Sequence, residues 1–567
     1  MFDNMIILDT GGYMIYYGNP VEGVMYFKRL DAQINSDVGE CPTCGNVNPE
    51  LIFNIIEAKV VDEYGKYTPK RKISPQKWED NFKANIKMEV VEEVKDSPPS
   101  TLNIPSWFRQ LKIYTIRDFL SKISNTQYIA LNLLEAPVLG FILSYIIRYI
   151  ADPNSKIYIF RENENINIYI FMGLIVALFL GLTVSAEEIF RDRKILKREA
   201  FLNLSRSSYL VSKIFILFSI SAIQAIFFVL IANNILGIRA MTFEYWFALF
   251  TTAAFANMLG LNVSASFNSA VTIYILIPLL MIPMMILSGA MFPFDKMNRA
   301  IGSVKKVPLI AEFMPTKWSF EALMVNQFKN NKFEKNFYEI EKRESNADFK
   351  QVYYLPELEK RLEYIEDNWY KFDSDEEVKK RIAAELRLLK TELPKEEIRT
   401  GIPFEVAHQL DTASFNEIIL DKTSEFIEKL YSYYSLIFQK ANNEKENIIR
   451  YLLKTNPELY RQKRNTFHNE SVEDQVKKVF EKNKIIQYKD ELVQQIDPIY
   501  RDPDVEGYFN FRSHFFAPRK YFAGKYHDTY WFNLIFIWFL TLFFYVTLYY
   551  ELLKKLLDLP EKIKIKK

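Results

Sequence analysis

Six stretches of this chain are so long and so apolar that a membrane is the natural place for them, and they constrain the fold more than anything else. A membrane-crossing helix needs about 20 predominantly apolar residues. Residues 127–150, 167–186, 209–232, 244–265, 270–291 and 529–550 each meet that requirement. The fourth is the weakest, because Asn257, Gly260 and Asn262 interrupt it. The remaining sequence is highly charged yet balanced, 72 basic against 70 acidic residues in 567. That balance excludes a generally basic nucleic-acid binder and an acidic-tail protein. Two cysteines cannot build a disulfide scaffold. The opening MFDNMIIL lacks the basic stretch and apolar core of a cleavable signal peptide.

Orientation follows from Lys and Arg in the short loops. Seven basic residues lie between Arg191 and Lys213, and six more follow the last span (Lys554, Lys555, Lys562, Lys564, Lys566 and Lys567). With six spans both segments fall on one side, which the charge rule makes the cytoplasm. The lipid bilayer is then the first partner, and a bacterial inner membrane is the expected location. Residues 292–528 would lie outside the cytoplasm, a segment too long for a bare loop. Within it, PELEKRLEYIEDNWYKF and SDEEVKKRIAAELRLLKTEL show helical apolar spacing with opposite charges three or four apart. The fold class expected is therefore mainly α: a six-helix polytopic domain with a large helical extracytoplasmic insertion between spans five and six. Residues 105–124 (PSWFRQLKIYTIRDFLSKIS) predict an amphipathic helix in the cytoplasmic interface. Residues 61–104, polar, charged and ending in SPPS, predict a linker.

Four segments resemble one family. MFDNMIILDTGGYMIYYGNPVEGVMYF is similar to the last strands of the nucleotide-binding domain of White-type, G-subfamily ATP-binding cassette transporters. CPTCGNVNPELIFNII is similar to the element that follows it, REAFLNLSRSSYLVSKI to the stretch leading into span three, and MPTKWSFEALMVNQF (314–328) to the segment after span five. The resemblance implies that 1–60 is the C-terminal remnant of a nucleotide-binding domain, 105–291 the amphipathic helix and spans one to five, and 529–567 span six and a basic tail. The outer helical domain, 292–528, departs from the family, whose segment there is short, and the likeness is not carried past about residue 335. No G-x-x-x-x-G-K-[S/T] loop occurs, so this chain by itself is not expected to hydrolyse ATP. ATP and Mg would sit on a nucleotide-binding domain fused upstream or supplied as a separate chain. A homodimer of twelve spans, working as an exporter, completes what the family implies.

The candidate residues follow. Glu187, Glu188, Arg191, Arg198 and Glu199 form either a solvated, topology-setting loop or, by resemblance, a coupling helix that passes closure of the ATPase domains to the spans. In the second reading Glu199 needs a fixed partner, for which Arg191 and Arg198 are the candidates. Phe171 and Phe179 with Met172 in span two, and Met281, Met284 and Met285 in span five, line either a packed core or, by resemblance, a substrate pathway between paired subunits. Glu135, beside Pro137 in span one, is an ionisable group at membrane depth and needs a partner on another helix or a place in a cavity. Cys41 and Cys44 would hold a metal only across a dimer, since structural zinc takes four ligands; a plain turn is the simpler reading. No hydrolase or H-E-x-x-H constellation is present. The competing function is an envelope-binding or mechanotransmitting membrane protein that uses the outer domain.

Overall fold

The computed structural model describes residues 3–32, 50–87, 105–199 and 204–565, and divides at Leu102 into two compact units. In the first, the hairpin β1 (Met5–Asp9) and β2 (Tyr13–Gly18) turns through Gly11 and Gly12, both at positive φ. Helix α1 (Pro20–Leu30) starts on an Asn19 cap with Pro20 in its first turn. Helix α2 (Glu50–Ile56), the hairpin β3 (Lys59–Val61) and β4 (Tyr67–Arg71), and α3 (Pro75–Asn85) complete the unit. Trp78 of α3 is fully buried and meets Phe27 of α1 edge-on at 5.5 Å. The linker expected over 61–104 is therefore folded as far as residue 87. Its Pro and charged residues make a hairpin and a capped helix, and Trp78 anchors them in the same core as Ile15, Val24 and Ile55.

The second unit opens with α4 (Trp107–Ile123), followed by α5 (Thr126–Ile147), α6 (Ile166–Ser185), α7 (Glu188–Glu199), α8 (Arg206–Leu236), α9 (Thr242–Ser266) and α10 (Ala270–Ile286). Among the described residues α5, α6, α8, α9 and α19 (Thr529–Tyr549) are long and apolar enough to cross a membrane. The fifth expected span is shorter. Helix α10 has 17 residues, about 25 Å at helical rise against a hydrocarbon core of about 30 Å. It contains Pro278 and Pro283 and gives way to a turn at Gly289, whose φ of 79° suits glycine and whose surroundings, Phe294 and Phe515, leave no room for a Cβ.

Helix α9, with the weakest apolar signal, is the most enclosed: 89 % of its apolar window is buried, against 22 % for α5. Its polar residues are satisfied inside the bundle. Asn257 donates to Ser221 Oγ at 2.8 Å, and Asn262 donates to the Phe544 carbonyl at 2.9 Å while accepting from Thr547. Gly181 and Gly260 let α6 and α9 approach closely; a Cβ at Gly181 would stand 2.5 Å from the Ala253 carbonyl oxygen.

Beyond α10 the chain runs through α11 (Leu309–Glu312) into α12 (Pro315–Lys329), buried over Pro315–Phe328 and packed with α6, α9 and α19. The segment 292–528 thus has two parts. Its beginning and end belong to the core of the spans, with Trp318, Phe328, Ile499 and Phe516. The middle builds its own core from α13 (Tyr338–Phe349), α14 (Leu355–Asn368), α15 (Glu376–Thr400) and the 39-residue α16 (Glu417–Thr455). Leu355, Leu358, Leu362 and Ile365 meet Leu386, Leu389, Leu393, Phe426 and Leu430 there, the helical spacing read in the sequence. Helices α17 (Pro457–Phe467) and α18 (Glu470–Lys477), the hairpin β5 (Ile485–Tyr488) and β6 (Glu491–Gln494), and the hairpin β7 (Arg519–Phe522) and β8 (Lys525–Asp528) lead back to α19; α20 (Leu552–Ile565) follows.

The insertion meets only one end of the bundle. Asn469 donates to the carbonyls of Phe160 at 2.7 Å and Asn163 at 2.9 Å, in the connection between α5 and α6. Tyr245 donates to Gln327 at 2.9 Å, and Tyr530 to the Glu244 carbonyl at 2.8 Å. At the root of the insertion, buried His468 lies 2.9 Å from Glu473 and 3.4 Å from Glu334. Burial alone would lower its pKa, but the two carboxylates raise it to about 9, so the imidazolium persists at neutral pH. A His pKa raised on folding gives stability that is complete below the unfolded value near 6.5 and is lost as pH climbs through about 9. Melting of the detergent-extracted chain is expected to fall across that window, and His468→Gln to flatten the fall. An equal slope in the variant would remove His468 from the account.

Candidate functional site

The other end of the bundle carries a junction of charged side chains where α4, α7 and α8 meet. Lys213, about two turns into α8 from Arg206, has a side chain only 5 % exposed. Its ammonium reaches Asp118 of α4 at 2.5 Å, Glu188 of α7 at 3.0 Å and Asp192 of α7 at 2.9 Å. Lys122, one turn beyond Asp118, bonds the other oxygen of Glu188 at 2.5 Å. Tyr209 donates to Asp192 at 3.0 Å. Glu188 therefore bridges the amphipathic helix and the third span, with both oxygens held by ammonium groups. Buried charges persist only when paired in this way.

Three further contacts fix the helices around it. Gln110 Oε1 of α4 accepts from the Ser205 backbone N–H at 2.7 Å, at the start of α8. Ser264 Oγ, at the end of α9, accepts from the Ile189 and Phe190 amides at 3.0 Å each, capping α7. Arg193 of α7 returns the favour, donating to the carbonyls of Ala265 at 2.9 Å and Phe267 at 2.8 Å where α9 ends. Each helix end supplies the hydrogen bonds that the other would lack.

Of the five residues singled out in the loop, Glu188 sits at the centre. Glu199 is held neither by Arg191 nor by Arg198 but by Arg117 of α4 at 2.7 Å. Arg191 and Arg198 point to solvent and form no ion pair among the described residues, because neighbouring charges on one helix face outward while α4 lies against the inner face. Glu187 lies beside Tyr274 of α10. Asp118, Lys122 and Lys213 were not singled out in the sequence; the i, i+4 pair Asp118 and Lys122 on an otherwise apolar-and-basic helix is the signal that could have found them.

The candidate pathway residues divide. Phe171 is buried, edge-on to Phe320 at 6.1 Å, and Met281 and Met284 are buried in the same core. Phe179 is 38 % exposed, and α10 presents Tyr274, Ile275, Leu279 and Ile282 outward. A cavity of about 10 Å³ lies between α6, α8 and α9, lined by Val176, Ala177 and Leu180 of α6 rather than by Phe171 or Phe179. Glu135 forms no ion pair among the described residues, so the partner expected on another helix is absent. Cys41 and Cys44 lie outside the described residues.

Residues 109–328 match the family described as ABC-2 type transporter. The chain is 26 % identical over 246 residues to the ABC transporter G family member STR of Medicago truncatula, covering 43 % of this chain and 28 % of that protein. It is 25 % identical over 312 residues to the protein of the same name from Petunia hybrida, covering 54 % and 34 %. The aligned part thus spans about a third of each curated relative. Both are plant proteins, which gives no support to a bacterial inner membrane. The matched region holds α4 to α12, the whole charged junction included, and ends on the last residue of the MPTKWSFEALMVNQF segment. The chain is accordingly a multi-pass membrane protein whose residues 109–328 are similar to an ABC-2 type transporter domain, and it is similar to the transmembrane half of White-type, G-family ABC transporters.

Proposed function

We propose that the chain is the permease part of an ATP-driven exporter, acting as a homodimer with nucleotide-binding domains that carry ATP and Mg. The charged end of the bundle, with α4, α7 and α20, faces the cytoplasm, and the insertion faces the opposite compartment. The substrate is apolar or amphiphilic and passes between α6 and α10 of two copies, where Phe179 and the outward residues of α10 supply an apolar surface. The observation that carries the reading is the junction at Glu188. A helix that receives a push from an ATPase can transmit it only through contacts that do not slip, and Glu188 is tied to both neighbours.

Its test is Glu188→Gln in the assembled transporter. Each lost charge-assisted contact is worth about 1.5–3 kcal/mol when buried, so stimulation of ATP turnover by substrate is expected to drop at least tenfold while the protein still assembles. Glu199→Gln has a smaller effect, roughly two- to fivefold, since Arg117 is 40 % exposed and such pairs are screened. Unchanged stimulation in Glu188→Gln would reduce the junction to a structural anchor.

A further inference from the structure

A cavity of about 500 Å³ opens in the insertion between β6, the C-terminal end of α15 and the loop 501–514. Its wall carries six cations, Lys305, Lys306, Lys395, Arg399, Arg501 and Arg512, against three carboxylates, Glu491, Asp504 and Glu506. Most of these charges are already matched. Lys305 bonds Glu491 at 2.6 Å, Lys306 bonds Glu506, Lys395 bonds Glu392 at 2.7 Å, and Arg399 bonds Glu396 at 2.6 Å. That leaves Arg501, with no ion pair among the described residues, and Arg512, whose one carboxylate contact, to Glu312, is a long 4.0 Å.

Arg501 has no ion pair among the described residues. Its one hydrogen bond is from Nη1 to the Gln494 carbonyl at 3.2 Å, so most of its donors are free. Arg501 is half-buried on the cavity wall; burial lowers its pKa to about 10, with Asp504 opposing and Arg399 adding to the shift, and the group stays charged at neutral pH. Arg512 spends Nη2 on the Val307 carbonyl at 2.8 Å, while its buried Nε makes no hydrogen bond and stands 4.0 Å from Glu312. His514 lines the same wall and, its pKa pushed well down by burial, is neutral there. A half-buried guanidinium whose donors are not met by a carboxylate gains from an anion that enters the cavity.

Two adjoining cavities share Arg501 but fit an anion less well. In the one of about 320 Å³, Lys350, Lys395, Arg399 and Arg501 are balanced by Glu392, Glu396, Asp502 and Asp504. The one of about 220 Å³ is less than half the size of the first. The largest also offers apolar wall from Leu492, Val493, Ile398 and Val505, and its volume lies within the usual range for small-molecule sites.

We propose that this cavity binds a small organic oxyanion, a phosphate or carboxylate group on a partly apolar body, with Arg501 as its bidentate donor and Arg512 as the second. The guanidinium fork matches two oxygens of such a group, which a lysine could not do. The site lies within the insertion, remote in sequence from the charged junction, and does not depend on the transport reading.

The test measures binding to the purified full chain in detergent, by isothermal titration, with inorganic phosphate and with dihexanoyl phosphatidic acid as probes and chloride as the ionic control. One probe molecule per chain is expected, weakened at least about tenfold by Arg501→Gln. Arg501→Lys should recover little of it. Asp504→Asn, which removes an exposed carboxylate beside the site, should tighten binding roughly two- to fivefold and keeps the test open should the arginine variants fold poorly. Tighter binding of the lipid than of phosphate identifies a headgroup as the source, and equal binding a soluble anion. Binding that chloride reproduces, or that survives Arg501→Gln in a folded protein, overturns the proposal, as does no binding of either probe to the wild-type chain.

Discussion

Lys213→Met is expected to destabilise the bundle by about 3–5 kcal/mol, the cost of leaving buried carboxylates without their cation. Asp118, Glu188 and Asp192 all converge on its ammonium; Glu188 also has Lys122 at 2.5 Å, whereas Asp118 has that lysine only at 3.5 Å and Asp192 only the neutral Tyr209 hydroxyl at 3.0 Å. Methionine keeps the length of the side chain, so the loss is of charge rather than volume. The yield of monodisperse protein after detergent extraction and its melting temperature should both fall sharply. Adding Asp118→Asn to Lys213→Met should restore part of the loss, because the double variant buries one fewer unmatched charge. A melting temperature within about 1 °C of wild type in Lys213→Met would show that water reaches the junction, since several kcal/mol cannot hide in so small a shift.

The second large effect is expected at Glu321. This carboxylate is fully buried on α12, with Lys520 of β7 at 2.7 Å and Lys317 at 3.4 Å; Asn533 of α19 donates to it at 3.0 Å and the Phe516 amide at 3.1 Å. Its neighbours hold its pKa below the usual carboxylate range in spite of burial, which by itself would raise it. Glu321→Ala leaves the buried Lys520 ammonium without its carboxylate, while Lys317 keeps Glu312 at 3.0 Å, and is expected to cost about 3–5 kcal/mol. Because Glu321 joins the beginning of the insertion to its end, through Lys520 and Phe516, the loss should also expose the insertion's root to protease, read as cleavage near residues 500–525. Intact protein at wild-type protease levels would place the joint elsewhere. Glu321→Gln, which keeps the shape and loses the charge, should lie between the two.

The apolar runs and the amphipathic α4 were legible from composition and period alone, and so was the helical character of the insertion. The pairing of charges was not. Lys213 counted in the sequence only toward the side of the membrane, because its partners lie 95, 25 and 21 residues away and no periodicity joins them. The same distance hid Arg117, 82 residues from Glu199. Hydropathy misled at α9 for a physical reason: a helix surrounded by other helices can carry Asn257 and Asn262, whereas one facing lipid must be apolar. Low hydropathy there marked centrality. The polar linker expected at 61–104 failed as far as residue 87 on a single residue, Trp78, whose indole has its place between helices.

Helices α7 and α9 exchange their terminal hydrogen bonds through Ser264 and Arg193, and two rods so joined turn as one piece. By helical rise α7 is about 18 Å long and α9 about 37 Å. Such a joint has a mechanical advantage: a sideways movement of the Glu199 end of α7, carried there by α4 through Arg117, appears at the far tip of α9 magnified about twofold, the ratio of those two lengths. That far tip is Thr242, whose neighbours Glu244 and Tyr245 are bonded to Tyr530 and Gln327 at the root of the insertion. A displacement of 1 Å at the Glu199 end of α7 would therefore reach the Thr242 end of α9 as about 2 Å, without any helix bending along the way.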